Sequence, residues 1–186
     1  ILYKIILLVI IFLVWHFAAK DIGSSLLLPM PVDVIKGFFF CVTDAETVTN
    51  LFITLQRVLK GFMYALLFGL PIGFIMGFSK TFERVLSPVV DSVRQVPIMA
   101  WVPLTIVWFG IGDGPTIFLI AFSGVFPIIL NTIQGVRAIS KDYYNAARSM
   151  GASPIGIFTN VIVPASLPDI LTGSRIAIST GWMSVI

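Results

Sequence analysis

From Gly114 to Val136 the chain carries no formal charge, and Asp113 and Arg137 close the run at its two ends. A helix needs about 20 mostly apolar residues to cross the hydrocarbon of a bilayer. Three further uncharged runs follow the same plan: Ile5–Ala19, with His16 its one titratable group, Gly61–Ser79, and Gln95–Gly112. The whole chain is 58% apolar and only 11% charged, with a mean hydropathy of +1.02. Soluble domains are roughly 45–50% apolar and about 25% charged. In water, a chain this apolar would expose large patches and aggregate. The fold class is therefore all-α, a polytopic helical membrane protein.

Crossings are expected at about residues 5–19, 50–79, 93–112 and 115–136, with a fifth begun at 169–186. The first is short, and Lys4 and Lys20 can extend it by snorkelling. A signal peptide competes for this segment, since a lysine before an apolar core imitates one. Trp15 and His16 fit poorly before a small-residue cleavage site. Residues 20–50 are mixed, with Pro29, Pro31, Asp33, Lys36, Asp44 and Glu46, which suits an interfacial connection holding a short helix or two. In the third crossing Pro97 and Pro103 must kink or break the helix, and the glycines of 110–114 form a turn. The chain opens on Ile1 and closes inside an apolar run, as expected of a piece lacking its start and its C-terminal end, truncated within the fifth helix.

The uncharged stretch 149–168 is set aside as a crossing, because Pro154, Pro164 and Pro168 fall among Gly151, Gly156 and several polar residues. Alternating the crossings gathers Lys4, Lys80, Arg84, Arg94, Arg137, Lys141 and Arg148 on one side. Lys20, Lys36, Arg57 and Lys60 fall on the other. The larger group marks the cytoplasmic side under the positive-inside rule, which puts the loop at about 137–168 in the cytoplasm.

Gly69, Gly73 and Gly77 share one face of the second crossing and let another helix approach closely. Tight packing explains them, and an interface that moves in transport is compatible with the same pattern. Gln95, Ser123, Asn131 and Gln134 favour the bundle interior, as helix–helix hydrogen bonds or as part of a solute path. Arg175 is costly at mid-bilayer, and a position near the cytoplasmic interface is the cheaper explanation. In the loop, residues 142–151 suit a short helix stopped by Gly151. Ser153-Pro154 suits the start of a second one, which runs to a break at Pro164. Adjacent Ala146 and Ala147 make a small-residue patch that accepts a partner at close range.

Asn145-Ala146-Ala147, Gly151 four residues on, and Val161-Ile-Val-Pro164 together resemble the EAA loop of ABC importer permeases. The pattern there is Glu-Ala-Ala, three residues, Gly, nine residues, Ile-x-Leu-Pro. The alanine pair, Gly151 and Pro164 match at the same spacing. Asn145 stands where the family has Glu. Leu26-Leu-Leu-Pro29-x-Pro31, Trp108-Phe-Gly-Ile-Gly112, Phe126-Pro-Ile-Ile-Leu-Asn131-Thr and Leu171-Thr-Gly-Ser-Arg175-Ile-Ala177 are similar to the nitrate/sulfonate/taurine-type branch.

The resemblance implies a type I ABC importer permease (MetI-like) fold in a single transmembrane domain, in the multi-pass inner membrane of a prokaryote. It implies a second permease copy, two cytoplasmic ATPase subunits and an extracytoplasmic solute-binding protein as partners. ATP and Mg would be bound by the ATPase and no cofactor by this chain, which would not itself be an enzyme. Asn145, Ala146, Ala147 and Gly151 would form the ATPase contact, with Pro164 and Pro168 setting the angle into the next crossing. The solute implied is a small anion or sulfonate, of the nitrate, sulfonate, taurine or bicarbonate class.

Other classes fit less well. A self-sufficient secondary transporter or channel needs a coupling group such as an intramembrane carboxylate, yet the carboxylates here lie in charged segments and connections. A membrane enzyme lacks site chemistry: no His, Cys or carboxylate cluster has metal-ligand spacing, and no phosphate-cradling Gly-rich loop ends in Lys-Ser/Thr. The net charge of +3 without a clustered basic face argues against nucleic acid. Cys41 is the only cysteine, so no internal disulfide can form.

Overall fold

The computed structural model describes residues 2–184. Two compact units divide the chain between Ile53 and Thr54, a boundary inside one long helix.

In the first unit, α1 (Leu2–Ile22) is apolar on all sides, and almost none of it is buried by protein. Such a helix is stable where hydrocarbon replaces water around it. Gly23, at φ +65°, ends it and donates its N–H to the Ala19 carbonyl. The Trp15 indole N–H donates to the Pro29 carbonyl at 3.1 Å, tying the connection back to the helix. α2 (Pro31–Thr43) begins on a proline, which needs no N–H partner in a first turn. Its 13 residues rise about 20 Å, short of a crossing. The short helix expected in the 20–50 connection is α2. Asp44 then caps α3 (Ala45–Phe78), its carboxylate accepting the Thr47 N–H at 2.9 Å.

The second unit is built on α6 (Asp113–Ala138), packed between α3 and α9 (Val163–Met183). Along α3, Gly61, Ala65, Gly69, Gly73 and Gly77 recur every four residues. They face Ile120, Gly124, Ile128, Thr132 and Val136 of α6, in one unbroken register. A Cβ added at Gly61, Gly69, Gly73 or Gly77 would come within 2.6–2.9 Å of its partner's side chain. The three glycines named from the sequence lie on this seam, and Gly61 and Ala65 extend the stripe by two turns. Rising numbers meet rising numbers, so α3 and α6 run parallel. On the other face α9 runs antiparallel: Gly181 meets Ile120, Ala177 meets Gly124, and Gly173 meets Pro127 and Asn131. Without a hydrophobic driving force between helices in lipid, close contact of this kind is what holds them together.

Parallel α3 and α6 require the chain between them to return across the bundle. It does so in two pieces, α4 (Lys80–Arg94) and a second helix bent 90° from it. That second helix opens with a 3-10 turn at Ile98–Trp101 and continues as α5 (Val102–Phe109). The expected crossing at 93–112 is thus not one helix. Pro97 breaks it, whereas Pro103 falls in the first turn of α5, where its missing N–H costs nothing. Gly110 and Gly112 take positive φ in the turn that follows. Ion pairs fasten both ends of α6: Arg57 of α3 with Asp113, and Arg137 with Glu83 of α4.

The final segment corrects the sequence-based expectation. α7 (Lys141–Ser149) is followed by a tight turn and α8 (Pro154–Ile157). No break comes at Pro164. The helix continues through a π turn at Phe158–Ile162 directly into α9, giving one apolar helix from Pro154 to Met183. In the π turn the Val163 N–H reaches back to the Phe158 carbonyl, one residue further than in an α-helix. This wide turn takes up the proline that follows, and the Ser166 hydroxyl donates to the Ile162 carbonyl at 2.8 Å. The expected span 169–186 is the C-terminal part of this helix.

Candidate functional site

Two features of the second unit bring together the residues singled out from the sequence. The first is the connection between α6 and α9. Ser140 caps α7 by accepting the Asp142 N–H at 3.2 Å. The helix stops in a Schellman arrangement: Ala152 N–H donates to the Ala147 carbonyl at 3.1 Å, and Gly151 N–H to the Arg148 carbonyl at 3.0 Å. Gly151 sits at φ +81°, a left-handed conformation that costs other residues about 1–2 kcal/mol. Ser153 then accepts the Gly156 N–H at 3.1 Å and starts α8.

This hydrogen-bonded hairpin leaves Asn145 and Ala146 exposed and Ala147 half-buried. Met150 and Ile155, 87% and 76% exposed, flank the turn. α7 packs on α8 and the π turn, and Pro164 lies beyond them in the first turn of α9. The parallel packing of α3 and α6 sets this connection at the end of the bundle that also carries the Glu83–Arg137 pair.

The second feature is a cavity of ≈ 600 Å³ between the Pro97 break, α6 and α9. Gln95, Ser123 and Asn131 all line it, and Gln134 is exposed elsewhere on α6. Arg94, Thr180 and Ser184 line it too, and the sequence reading missed them. Thr180 on α9 and Ser184, just past its last residue, are four apart, next to the small-residue row of Gly173, Ala177 and Gly181, and that spacing was the available signal. The Ser184 and Ser123 hydroxyls meet at 3.3 Å across the two helices. Arg175 is exposed two residues beyond Gly173.

The family described as "Binding-protein-dependent transport system inner membrane component" matches residues 69–186, which include the whole α6–α9 connection and cavity. The chain belongs to that family. It is a multi-pass inner-membrane permease of the ABC importer class. A putative ABC transporter permease of Methanocaldococcus jannaschii is 34% identical over 98% of this chain and 70% of the relative. The taurine transport system permease of Escherichia coli is 34% identical over 92% of this chain and 64% of the relative. Aliphatic sulfonate and nitrate permeases are among the further relatives, so the nitrate/sulfonate/taurine branch read from the sequence stands. The permease spans 64% to 70% of the length of the two relatives just described.

A chain of the MetNI methionine ABC transporter, in an inward facing conformation, shares the fold. Its TM-score is 0.62 at 23% identity, over 70% of this permease and 67% of that chain.

Proposed function

We propose that the permease forms the translocation path of an ATP-driven importer and docks a cytoplasmic ATPase through the connection between α6 and α9. The observation that carries this is the build of that connection. Its backbone is satisfied internally by two serine caps and the Gly151 Schellman turn, while the small residues Ala146 and Ala147 stay open to a partner. Asn145 offers that partner an amide in place of the carboxylate of the EAA pattern. The basic residues at this end, Lys80, Arg84, Lys141 and Arg148, favour the cytoplasmic side.

ATP and Mg belong to the ATPase, which does the hydrolysis. A second permease copy completes the path, and a solute-binding protein delivers a small anion or sulfonate from outside. Residues 1–186 act as one transmembrane domain. Coupling requires contacts at the hairpin that differ between the nucleotide-bound and nucleotide-free states of the ATPase. The continuous Pro154–Met183 helix connects the dock to the cavity wall.

The test is co-purification. Ala147→Trp should abolish recovery of the ATPase with the permease and uncouple ATP turnover from uptake, while the permease itself still inserts. Undiminished recovery and uptake in that variant would overturn the proposal, as would labelling that found Ala146 on the outer face.

A further inference from the structure

The polar groups around the cavity have an uneven donor and acceptor inventory. Ser123, Thr180 and Ser184 each donate their single hydroxyl proton to a carbonyl of their own helix: Ile120 at 3.1 Å, Ile176 at 3.0 Å and Thr180 at 2.9 Å. Ser184 shares its proton with Ser123 Oγ at 3.3 Å; a hydroxyl has one proton and two lone pairs, so with the protons engaged each of the three still keeps a free lone pair. The two amides are oriented the same way. Asn131 Nδ2 donates to the Pro127 carbonyl at 2.8 Å and Gln95 Nε2 to the Asp91 carbonyl at 3.0 Å. Because a carbonyl can only accept, the nitrogens face the helices, each keeping one further N–H, and among the described residues Oδ1 and Oε1 have no hydrogen-bond partner. Five oxygens with free lone pairs thus line one space. Among the described residues of its wall the one charged side chain is Arg94, whose Nε pairs with Asp91 at 2.8 Å while the side chain stays about half exposed.

Lone pairs are filled by donors, and a wall of five free acceptor oxygens with only two spare amide N–H groups suits a solute that brings N–H donors better than a bare anion. The guanidinium attracts one, through the terminal nitrogens that its pairing with Asp91 leaves free. We infer that this cavity passes small zwitterionic solutes, an anionic head held at Arg94 and an ammonium group solvated by the Ser123, Asn131, Thr180 and Ser184 oxygens, in preference to inorganic anions. The inference rests on taking the cavity as part of the importer's path, and it narrows the solute class within that function. A bare anion would satisfy Arg94 and leave the acceptor wall without donors, at a cost for each group left unpaired.

The experiment uses the permease–ATPase complex in membranes without its solute-binding protein, so that selectivity outside the chain plays no part. Exposed Cys41 is first replaced by serine, and Leu130→Cys is introduced on the cavity wall. Labelling of that thiol by a methanethiosulfonate reagent is then timed in the presence of taurine, ethanesulfonate or nitrate. Taurine should slow labelling several-fold, and ethanesulfonate, which lacks only the ammonium, should slow it far less. Nitrate should have no effect. Asn131→Leu with Thr180→Val should erase the difference between taurine and ethanesulfonate, and Arg94→Gln should erase protection by both.

Equal protection by taurine and ethanesulfonate would overturn the inference, and so would absence of protection by any of the three. A thiol that resists labelling at Leu130→Cys and also at Met183→Cys would overturn it as well, because the space would then be closed to solutes. Recovery of the ATPase with each variant reports that the permease is folded and docked. A failure of the inference therefore stays distinct from a failure of the docking proposal.

Discussion

The seam between α3 and α6 and the hairpin between α6 and α9 are held by opposite means. Along the seam, glycines and one alanine meet a row of α6 side chains at van der Waals distance, and Thr132 is fully buried with its hydroxyl unpartnered. The hairpin reverses this. Its residues are mostly exposed, and what fixes it is a set of backbone and cap hydrogen bonds closed by Gly151. In hydrocarbon, backbone groups are already spent inside each helix, so only shape can specify which helix lies beside which. In water, a short hairpin has too little apolar area for packing to hold it, and capping does the work instead. The seam therefore tolerates no added volume, whereas the hairpin tolerates volume on its surface but not a change of backbone conformation.

The sharpest way to break that contrast is to add volume at the seam. Gly73→Leu drives a side chain into Thr132, whose Cβ already lies 2.7 Å from the place of a first added carbon. Overpacking of this sort costs about 1–3 kcal/mol, and here no flexible side chain can yield. The expected outcome is a fall of many degrees in the unfolding temperature of the purified permease, or no recoverable monodisperse protein. Gly69→Leu should behave alike, against Ile128. Met150→Leu, on the exposed turn of the hairpin, should leave the midpoint unmoved. A seam variant as stable as the native chain would mean that α3 does not depend on α6 for its place.

The second expectation concerns the hairpin's backbone. Gly151→Ala adds a single carbon with open space around it, since nothing lies within 4 Å of its Cβ position. Any penalty must then come from φ +81° alone, about 1–2 kcal/mol. The global unfolding midpoint should hardly change, because α7 contributes little to the core. Recovery of the ATPase with the permease should fall several-fold, since the turn that presents Ala146 and Ala147 is loosened. Equal loss of global stability and docking would blur the two regions into one cooperative unit.

How much of this was legible in the sequence follows from the same contrast. Spans closed by charges were readable, because charge excludes a residue from hydrocarbon wherever it sits: Asp113 and Arg137 bracket α6 with hardly an error. The glycine row was readable through its spacing, although Gly61 and Ala65 were passed over next to charged Lys60. Prolines were the weak point. Pro97 bends the chain and Pro103 does not, since only the second falls in a first turn. Pro164 reads as a break, yet a π turn carries the helix past it, and no local residue pattern announces that extra residue. The cavity was half legible: Gln95, Ser123 and Asn131 stand out as polar residues in apolar runs. Arg94, Thr180 and Ser184 join them only because α9 lies antiparallel to α6 and the break after α4 leaves residue 94 at the cavity wall.

The smallest expected effect lies in the first unit and tests whether caps there act as they do in the hairpin. The Asp44 carboxylate accepts the hydroxyl of Thr47 at 2.6 Å and its N–H at 2.9 Å. Those two bonds, the hydroxyl's first, hold its pKa below the ordinary aspartate value. A depressed pKa in the folded state means that the charged form is the one stabilised. The contribution is therefore complete above the unfolded value, near about 3.9, and is lost as pH falls through the folded value. Thr47→Ala removes one bond outright, so the Asp44 titration, followed by carbon NMR of its carboxyl, should move up toward the unfolded value. The first turn of α3 should fray at a correspondingly higher pH. Because these cap bonds lie exposed at a helix start, the unfolding midpoint at neutral pH should barely respond. An unmoved titration in Thr47→Ala would mean that the cap is not populated in solution, and that the start of α3 is set by packing, as its Gly61–Gly77 face is.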